Sequence, residues 1–185
     1  MKTILFAVIL IIGTLLRSEE VIRNNYLFLK DQGRDMLNIK SIWFDRKLTL
    51  IGPYTGLQGV FQGPLYYYLL SIPAAVSHGN PRGVLALVAA LQVFAIVMMY
   101  VTGKRFFSET VGLIAAFLFA VSPVAAAAST FIWSPHITLP VMTVFLYGFF
   151  LWMEKQTLKR FLFTVSCLGV LYHFEIAFAL PLTIA

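Results

Sequence analysis

The densest group of side chains that could do chemistry lies in the segment Lys30-Asp31-Gln32-Gly33-Arg34-Asp35. On a helix, Asp31 lies one turn from both Arg34 and Asp35, so two carboxylates and a guanidinium share one face. A carboxylate can accept the proton of a reacting hydroxyl, and arginine matches phosphate oxygens with two parallel hydrogen bonds. The spacing therefore predicts a general base, Asp31, beside a phosphate clamp formed by Arg34 with help from Lys30.

The same cluster also fits a structural role, in which Asp31 caps a helix and pairs with Arg34 at the surface. Judged by residue types alone, this structural role is the more common one for such a cluster. Ionisable side chains close to a bilayer are costly unless they are paired or used. The elements around the segment therefore decide between the two interpretations.

The composition is typical of a membrane protein. Of 185 residues, 59% are hydrophobic and 12% are charged, whereas an average soluble domain has about 45–50% apolar and about 25% charged residues. Too few polar side chains are present to cover a water-facing surface, so lipid must solvate much of the chain. The net charge of +6 fits basic cytoplasmic loops, and no basic–aromatic nucleic-acid module is present. The single cysteine, Cys167, excludes an intrachain disulfide.

The apolar runs predict an all-α fold, a polytopic bundle of transmembrane helices. Residues 1–16 form a first span, residues 17–82 an external loop with juxtamembrane helices, and residues 83–185 further spans. Within the charged loop, residues 31–44 are predicted to be helical and residues 52–56 to form a turn. The first helix should continue past Arg17, with long side chains snorkelling to the interface. Because an apolar run stops at residues 182–185, we expect the chain to be the N-terminal part of a longer protein.

Residues 64–77 decide which face of the membrane holds the cluster. The run is short for a span and contains Pro73, and Tyr66, Tyr67 and Tyr68 are typical of the membrane–water interface. If the run lies along the outer interface, the basic residues of the later loops are cytoplasmic. These are Lys104, Arg105, Lys155, Lys159 and Arg160. The positive-inside rule favours this arrangement, which predicts a multi-pass plasma-membrane protein with an extracytoplasmic active face.

Four motifs recur together in one family. They are DQGRD at 31–35, Gly-Pro at 52–53, FQGPLYYYLL at 61–70 and TFIWSP at 130–135. Together they resemble the N-terminal part of a polyprenyl-phosphate-sugar glycosyltransferase of the multi-spanning GT-C superfamily. The branch is that of the dolichyl-phosphate-mannose protein mannosyltransferases (glycosyltransferase family 39) and the bacterial aminoarabinose lipid A transferases.

The resemblance implies an inverting transfer of a sugar from a polyprenyl-phosphate donor to a lipid, glycan or protein acceptor at the external face, with no nucleic-acid partner. Asp31 matches the catalytic acidic residue of the first external loop, and Arg34 matches an arginine near the lipid phosphate. Residues 64–77 match a juxtamembrane helix along the outer leaflet. The expected substrate-binding residues are Arg34, Asp35, Lys30, Gln62, Tyr67 and Trp133, the last stacking on a sugar face.

Three positions depart from the pattern of these relatives. Relatives often have His, or an acidic residue followed by Lys, where this chain has Gln62 and Gly63, and they often have Asn or Asp in place of Ser134. These positions can support a metal or the phosphate in the family, but Gln and Ser are poor ligands for a transition metal. No cofactor is firmly expected, and a divalent metal has only weak support.

Two other functions stay open at this point. A transporter fragment should carry ionisable residues at mid-bilayer depth, and the apolar runs between residues 84 and 153 have none outside their loops. A non-catalytic membrane protein that binds a lipid-linked phosphate would share the cluster without transferring a sugar. His136, His173 and Glu175 fit either the rim of a sugar pocket or a role as interfacial anchors or packing groups, and the second role is the more common one for such residues.

Overall fold

The computed structural model describes residues 1–184, and most of that range is helical. The helices are α1 (Lys2–Arg23), α2 (Lys30–Trp43), α3 (Leu65–Val76), α4 (Pro81–Phe106), α5 (Glu109–Val121), α6 (Pro123–Ala127), α7 (Ser134–Glu154), α8 (Leu158–Phe174) and α9 (Ile176–Ile184). The predicted all-α fold is confirmed.

Helix α4 is the centre of the bundle. It packs against α1, α5 and α7, and α8 packs against α7. In the described range, α4 and α7 are long and apolar enough to cross a membrane. A helix of 26 residues such as α4 is about 39 Å long at about 1.5 Å per residue, which exceeds the ~30 Å hydrocarbon core of a bilayer.

Helix α1 is held by an arginine inside the bundle. As predicted, the helix continues past Arg17 and ends at Arg23. Arg17 is fully buried, and its guanidinium donates to the carbonyl oxygens of Ala120 at 2.8 Å and Phe119 at 2.7 Å. These carbonyls belong to the last turn of α5, where the helix leaves them without intrahelical partners and the helix dipole is negative. The predicted snorkelling is therefore wrong for Arg17, because the end of α5 supplies its partners.

Helices α2 and α3 form a pair that is anchored on the bundle through α3. Helix α3 packs against α2, α4 and α8. Buried residues of both helices join one apolar core with residues of α4 and α7. With 12 residues, α3 is about 18 Å long, which is too short to cross a ~30 Å hydrocarbon core alone.

The chain between α2 and α3 contains a short hairpin over residues 52–62. Gly52 donates to the carbonyl of Gln62 at 3.0 Å, and Gln62 donates to the carbonyl of Pro53 at 2.9 Å. The turn lies at residues 56–59 and has Gly59 at φ 78°. Residues 52–54, which were predicted to belong to a turn, are therefore one extended arm of the hairpin.

Candidate active site

Gln32 attaches α2, the helix that carries the charged residues of the site, to the rest of the bundle. The side-chain oxygen of Gln32 accepts from the backbone N–H of Leu29 at 2.9 Å, which satisfies an otherwise free donor at the helix start. The amide nitrogen of Gln32 donates to the carbonyl of Ile132 at 3.1 Å. Since Ile132 lies in the connector before α7, one buried glutamine fixes both the start of α2 and that connector.

Asp35 is the innermost acid of the site, with 1% of its side chain exposed. Its Oδ1 accepts from Arg34 Nε at 3.0 Å and from the hydroxyl of Tyr67 at 3.1 Å, and its Oδ2 accepts from the hydroxyl of Tyr66 at 3.4 Å. Burial raises the pKa of the Asp35 carboxyl, and the charge of Arg34 and the tyrosine hydroxyls oppose that rise. The carboxylate is thus held in one orientation by three neighbouring side chains.

Two of the three tyrosines of α3 donate hydrogen bonds to this carboxylate. Tyr66 and Tyr67 are buried within the protein, so their hydroxyls point at Asp35 and not at the head groups of the interface. The Tyr67 hydroxyl also accepts from Asn38 Nδ2 at 3.2 Å. Burial and the neighbouring charge of Asp35 raise the pKa of Tyr67 to about 12, so its hydroxyl stays protonated and remains a donor to Asp35 at neutral pH.

Arg34 joins both carboxylates of α2. Its guanidinium contacts Asp35 Oδ1 through Nη2 at 2.9 Å and Asp31 Oδ1 through Nη1 at 3.1 Å. The Asp31 side chain is 61% exposed, whereas Asp35 lies on the buried face of the helix. The predicted helical spacing therefore brings the three charges together, but it places the two carboxylates in very different surroundings.

A cavity of about 220 Å³ opens beside Arg34 and Asp35. Its walls come from α2, the hairpin, the connector before α7, and the break between α8 and α9. The lining residues are Arg34, Asp35, Pro53, Tyr54, Thr55, Gly56, Gln62, Trp133, Ser134 and Glu175. Most of these groups are polar, so the cavity suits a ligand that carries several hydrogen-bonding groups.

The hairpin is pressed tightly against the bundle at this wall. A Cβ atom added to Gly52 would collide with the carbonyl of Gly63, and a Cβ atom added to Gly63 would collide with the imidazole of His173. Glycine is therefore required at both positions by the close approach of the backbone. This packing brings Gln62 to Glu175, and Gln62 Nε2 donates to Glu175 Oε2 at 3.0 Å.

Trp133 and Ser134 reach the cavity from the start of α7. Trp133 is the residue before the helix, and its ring makes an edge contact with His136, with centroids 5.4 Å apart. His136 Nδ1 lies 2.9 Å from the carbonyl of Phe131, which fixes the connector internally. Trp133 as a whole residue is 45% exposed and lines the cavity, so it is accessible to a ligand.

Four residues predicted to bind substrate line this cavity, namely Arg34, Asp35, Gln62 and Trp133. Tyr67 supports it from behind through Asp35. Asp31 is connected to it through Arg34, while Lys30 is exposed and outside the lining.

Glu175 and Tyr66 were not assigned to the site from the sequence. Glu175 lies 113 residues from its partner Gln62, and no local pattern relates the two positions. Glu175 lies at the break between α8 and α9. This position did not identify it as a site residue, since a charged residue between two apolar runs fits an interfacial anchor equally well. Tyr66 was part of an aromatic run that predicts an interface.

The residues at the positions associated with a metal do not fit a transition-metal site. Gln62 and Ser134 line the cavity with neutral oxygen atoms, which are poor ligands for such metals. Over residues 1–184, no three His, Cys, Asp or Glu side chains converge as a ligand set. We therefore derive no step of the chemistry through a metal.

Comparison with known proteins agrees with the earlier resemblance. Residues 62–184 match the profile of the family described as dolichyl-phosphate-mannose-protein mannosyltransferase. The match begins at Gln62 and so covers α3 to α9 and the cavity residues Gln62, Trp133, Ser134 and Glu175, but neither α1 nor α2. No curated protein and no solved structure gives a significant match. Because the profile covers more than half of the sequence, this chain is a membrane glycosyltransferase that belongs to the dolichyl-phosphate-mannose-protein mannosyltransferase family.

Proposed function

We propose that this chain forms the donor-binding part of an inverting glycosyltransferase that takes a sugar from a polyprenyl phosphate and gives it to an acceptor hydroxyl. The observation that carries the proposal is the cavity in which Arg34, held by the buried Asp35, faces Gln62, Trp133 and Glu175. A fixed guanidinium suits a phosphate, and the remaining polar wall suits a sugar. The family match supports the reaction class.

The polarity of the bundle supports an extracytoplasmic cavity. The cavity lies at the start of α7 and the end of α8. The opposite ends of these helices, with the start of α1 and the end of α4, carry a network of ion pairs. The pairs are Lys2–Glu109, Lys104–Glu109, Arg105–Glu154 and Arg160–Glu154. The basic residues of the short loops lie at this end, which favours it as cytoplasmic and leaves the cavity at the outer face of a multi-pass protein.

The proposed chemistry uses Asp31 as base and Arg34 as anion stabiliser. The acceptor hydroxyl gives its proton to the Asp31 carboxylate while its oxygen bonds to the anomeric carbon. The bond between that carbon and the phosphate oxygen breaks, and its electron pair stays on the phosphate. Fixed positive charge at Arg34 stabilises the developing charge. Attack from the side opposite the phosphate inverts the anomeric centre.

Asp31 suits the base better than Asp35 does. Asp31 is mostly exposed, and the one side-chain hydrogen bond that it accepts within residues 1–184 comes from Arg34. Asp35 is buried, and both of its oxygen atoms already accept hydrogen bonds. Because Arg34 and the two tyrosine hydroxyls already occupy the oxygen atoms of Asp35, this residue is assigned to holding Arg34 in place.

The test is the turnover of the full-length protein with a polyprenyl-phosphate sugar after the substitution Asp31→Asn. We expect a loss of about 10²–10⁴-fold in kcat, the usual contribution of a general base, with unchanged expression and thermal stability. The matched control is Asp45→Asn, since Asp45 is exposed in the loop after α2 and should leave turnover unchanged. Full turnover by Asp31→Asn would remove Asp31 from the role of base.

A further inference from the structure

The side-chain amide of Gln62 has two ends in different surroundings. Its nitrogen donates to Glu175 Oε2 at 3.0 Å. Its oxygen is buried and accepts no hydrogen bond from any residue in the range 1–184. Gln62 is only 5% exposed and lines the cavity. A buried acceptor without a donor is costly, so this oxygen calls for a partner that the described part of the chain does not supply.

The direction of the amide follows from chemistry. An ionised carboxylate only accepts hydrogen bonds, so only the amide nitrogen of Gln62 can face Glu175. The backbone of Gln62 is also fixed, because its N–H and its carbonyl both pair with the opposite arm of the hairpin. The amide of Gln62 therefore cannot flip without losing its hydrogen bond to Glu175. Its oxygen is held in one orientation, ready to accept a hydrogen bond.

A ligand that fits this acceptor must bring a hydrogen-bond donor. Asp35 and Glu175 add carboxylates to the same cavity wall, and carboxylates also only accept. An anionic group is therefore suited to the side of Arg34, whereas a neutral hydroxyl group is suited to the side of Gln62. In a glycosyl phosphate these two groups belong to one molecule.

We propose that Gln62 Oε1 accepts a hydrogen bond from one hydroxyl of the donor sugar, and that Glu175 is the positioning residue that sets the direction of the Gln62 amide. The proposal rests on the proposed function and deepens it, since it makes this pair a determinant of sugar specificity. A site built to bond a substrate hydroxyl discriminates against the analogue that lacks it, because a buried polar group is then left unpaired.

The test compares dolichyl-phosphate mannose with its four singly deoxygenated mannose analogues, using the full-length protein in detergent. For the native protein we expect one analogue to lose about ten- to hundredfold in kcat/KM relative to the parent. In Gln62→Met, which keeps the length but removes the amide, that analogue and the parent should become equal within about threefold. The matched control is Gln156→Met, in the exposed turn between α7 and α8, which should keep the native discrimination.

Glu175→Gln tests the positioning role separately. A glutamine at 175 can accept from or donate to Gln62, so it no longer dictates which end of the Gln62 amide faces the cavity. We expect discrimination between the parent and the sensitive analogue to fall by about twofold or more, because an amide that takes both orientations presents its oxygen to the hydroxyl only part of the time. A purely structural role of Glu175 would instead lower turnover of the parent and of all analogues by the same factor.

Equilibrium binding of the same five lipids separates this inference from the proposed function. Discrimination in binding without any transfer would overturn the function but support the Gln62 contact. Transfer with equal use of all four analogues by the native protein, or discrimination that survives in Gln62→Met, would overturn the inference alone. Absence of both binding and transfer would overturn both, and leave water as the partner of the Gln62 oxygen.

Discussion

The ionisation of Asp35 depends on its burial. Burial raises the pKa of this carboxyl above its ordinary value of 3.8, against the opposing effect of Arg34 and the two tyrosine hydroxyls. A group whose pKa is higher in the folded than in the unfolded state binds protons more tightly when folded. The folded protein therefore loses stability as the pH rises from 3.8 to the raised pKa, and the loss is complete above it.

Asp35→Asn removes this titration while keeping a side chain of the same shape. As the pH rises from 3.8 to the raised pKa of Asp35, we expect the thermal midpoint of the native protein to fall relative to that of Asp35→Asn. Above that pKa, the difference between the two midpoints should be constant. Thermal unfolding in detergent at a series of pH values measures this. Asp45→Asn serves as control and should follow the native protein. Parallel midpoints for the native protein and Asp35→Asn would mean that Asp35 titrates normally.

Residue contacts within one helix could be predicted from the sequence, and contacts between helices could not. Arg34 and Asp31 lie three positions apart, so helical spacing alone predicts their pairing. The bond from Tyr67 to Asp35 joins residues 32 apart, and the bond from Gln62 to Glu175 joins residues 113 apart. Such pairs depend on how α3 and α8 pack, which hydrophobic patterning does not specify.

At the scale of elements, α2 shows both what patterning predicts and where it fails. The predicted helix over 31–44 is found at Lys30–Trp43. Leu37 and Trp43 are among the large apolar residues of this helix, yet they are 70% and 56% exposed. The buried stripe instead begins with the polar residues Gln32 and Asp35. Gln32 and Asp35 are buried because they form hydrogen bonds with other parts of the chain. A hydrophobicity pattern cannot reveal a buried face that begins with two polar residues.

The close fit of the hairpin against α8 makes Gly63 sensitive to any side chain. We expect Gly63→Ala to destabilise the protein by about 1–3 kcal/mol, the usual cost of an added methyl group in a packed site, because it meets the His173 imidazole. Thermal or denaturant unfolding measures the change. Gly56→Ala is the matched control, since nothing lies within 4 Å of a Cβ atom at that position.

A double substitution identifies the colliding partner. In a background of His173→Ala, the space taken by the imidazole is empty, so Gly63→Ala should cost much less than it does in the native background. The difference between the two costs is the coupling of the two positions. Equal costs in both backgrounds would mean that the hairpin does not press on His173.

At the scale of the whole molecule, the two ends of the bundle differ in chemistry. One end carries the short basic loops with their ion pairs to Glu109 and Glu154, and the other carries α2, the hairpin and the cavity. The charge pattern predicted this division, because short basic loops recur at alternate connections along the chain. Whether α3 crosses the membrane could not be read from hydropathy alone. Its length of 12 residues and its packing against α2 favour a position at the interface.

Cysteine labelling tests this orientation directly. In a background of Cys167→Ala, which removes the single native cysteine, Gln58→Cys places a thiol in the hairpin turn and Gln156→Cys places one between α7 and α8. A membrane-impermeant maleimide should label the first in intact cells and the second only after permeabilisation. Labelling of both positions, or of the second alone, in intact cells would contradict an extracytoplasmic cavity.

The clamp at Arg17 has a consequence for the order of membrane assembly. Arg17 and its partner Ala120 are 103 residues apart, so the first helix is synthesised long before its binding site exists. Until α5 is complete, water and lipid head groups are the available partners for the guanidinium. In ribosome-bound chains that end before residue 109, we therefore expect Arg17 to lie closer to the membrane surface than it does in the folded protein. Helix α1 should reach its final depth in the bilayer once residue 121 has been inserted. Solvent accessibility of a cysteine at position 18 in stalled chains of both lengths would measure that delay.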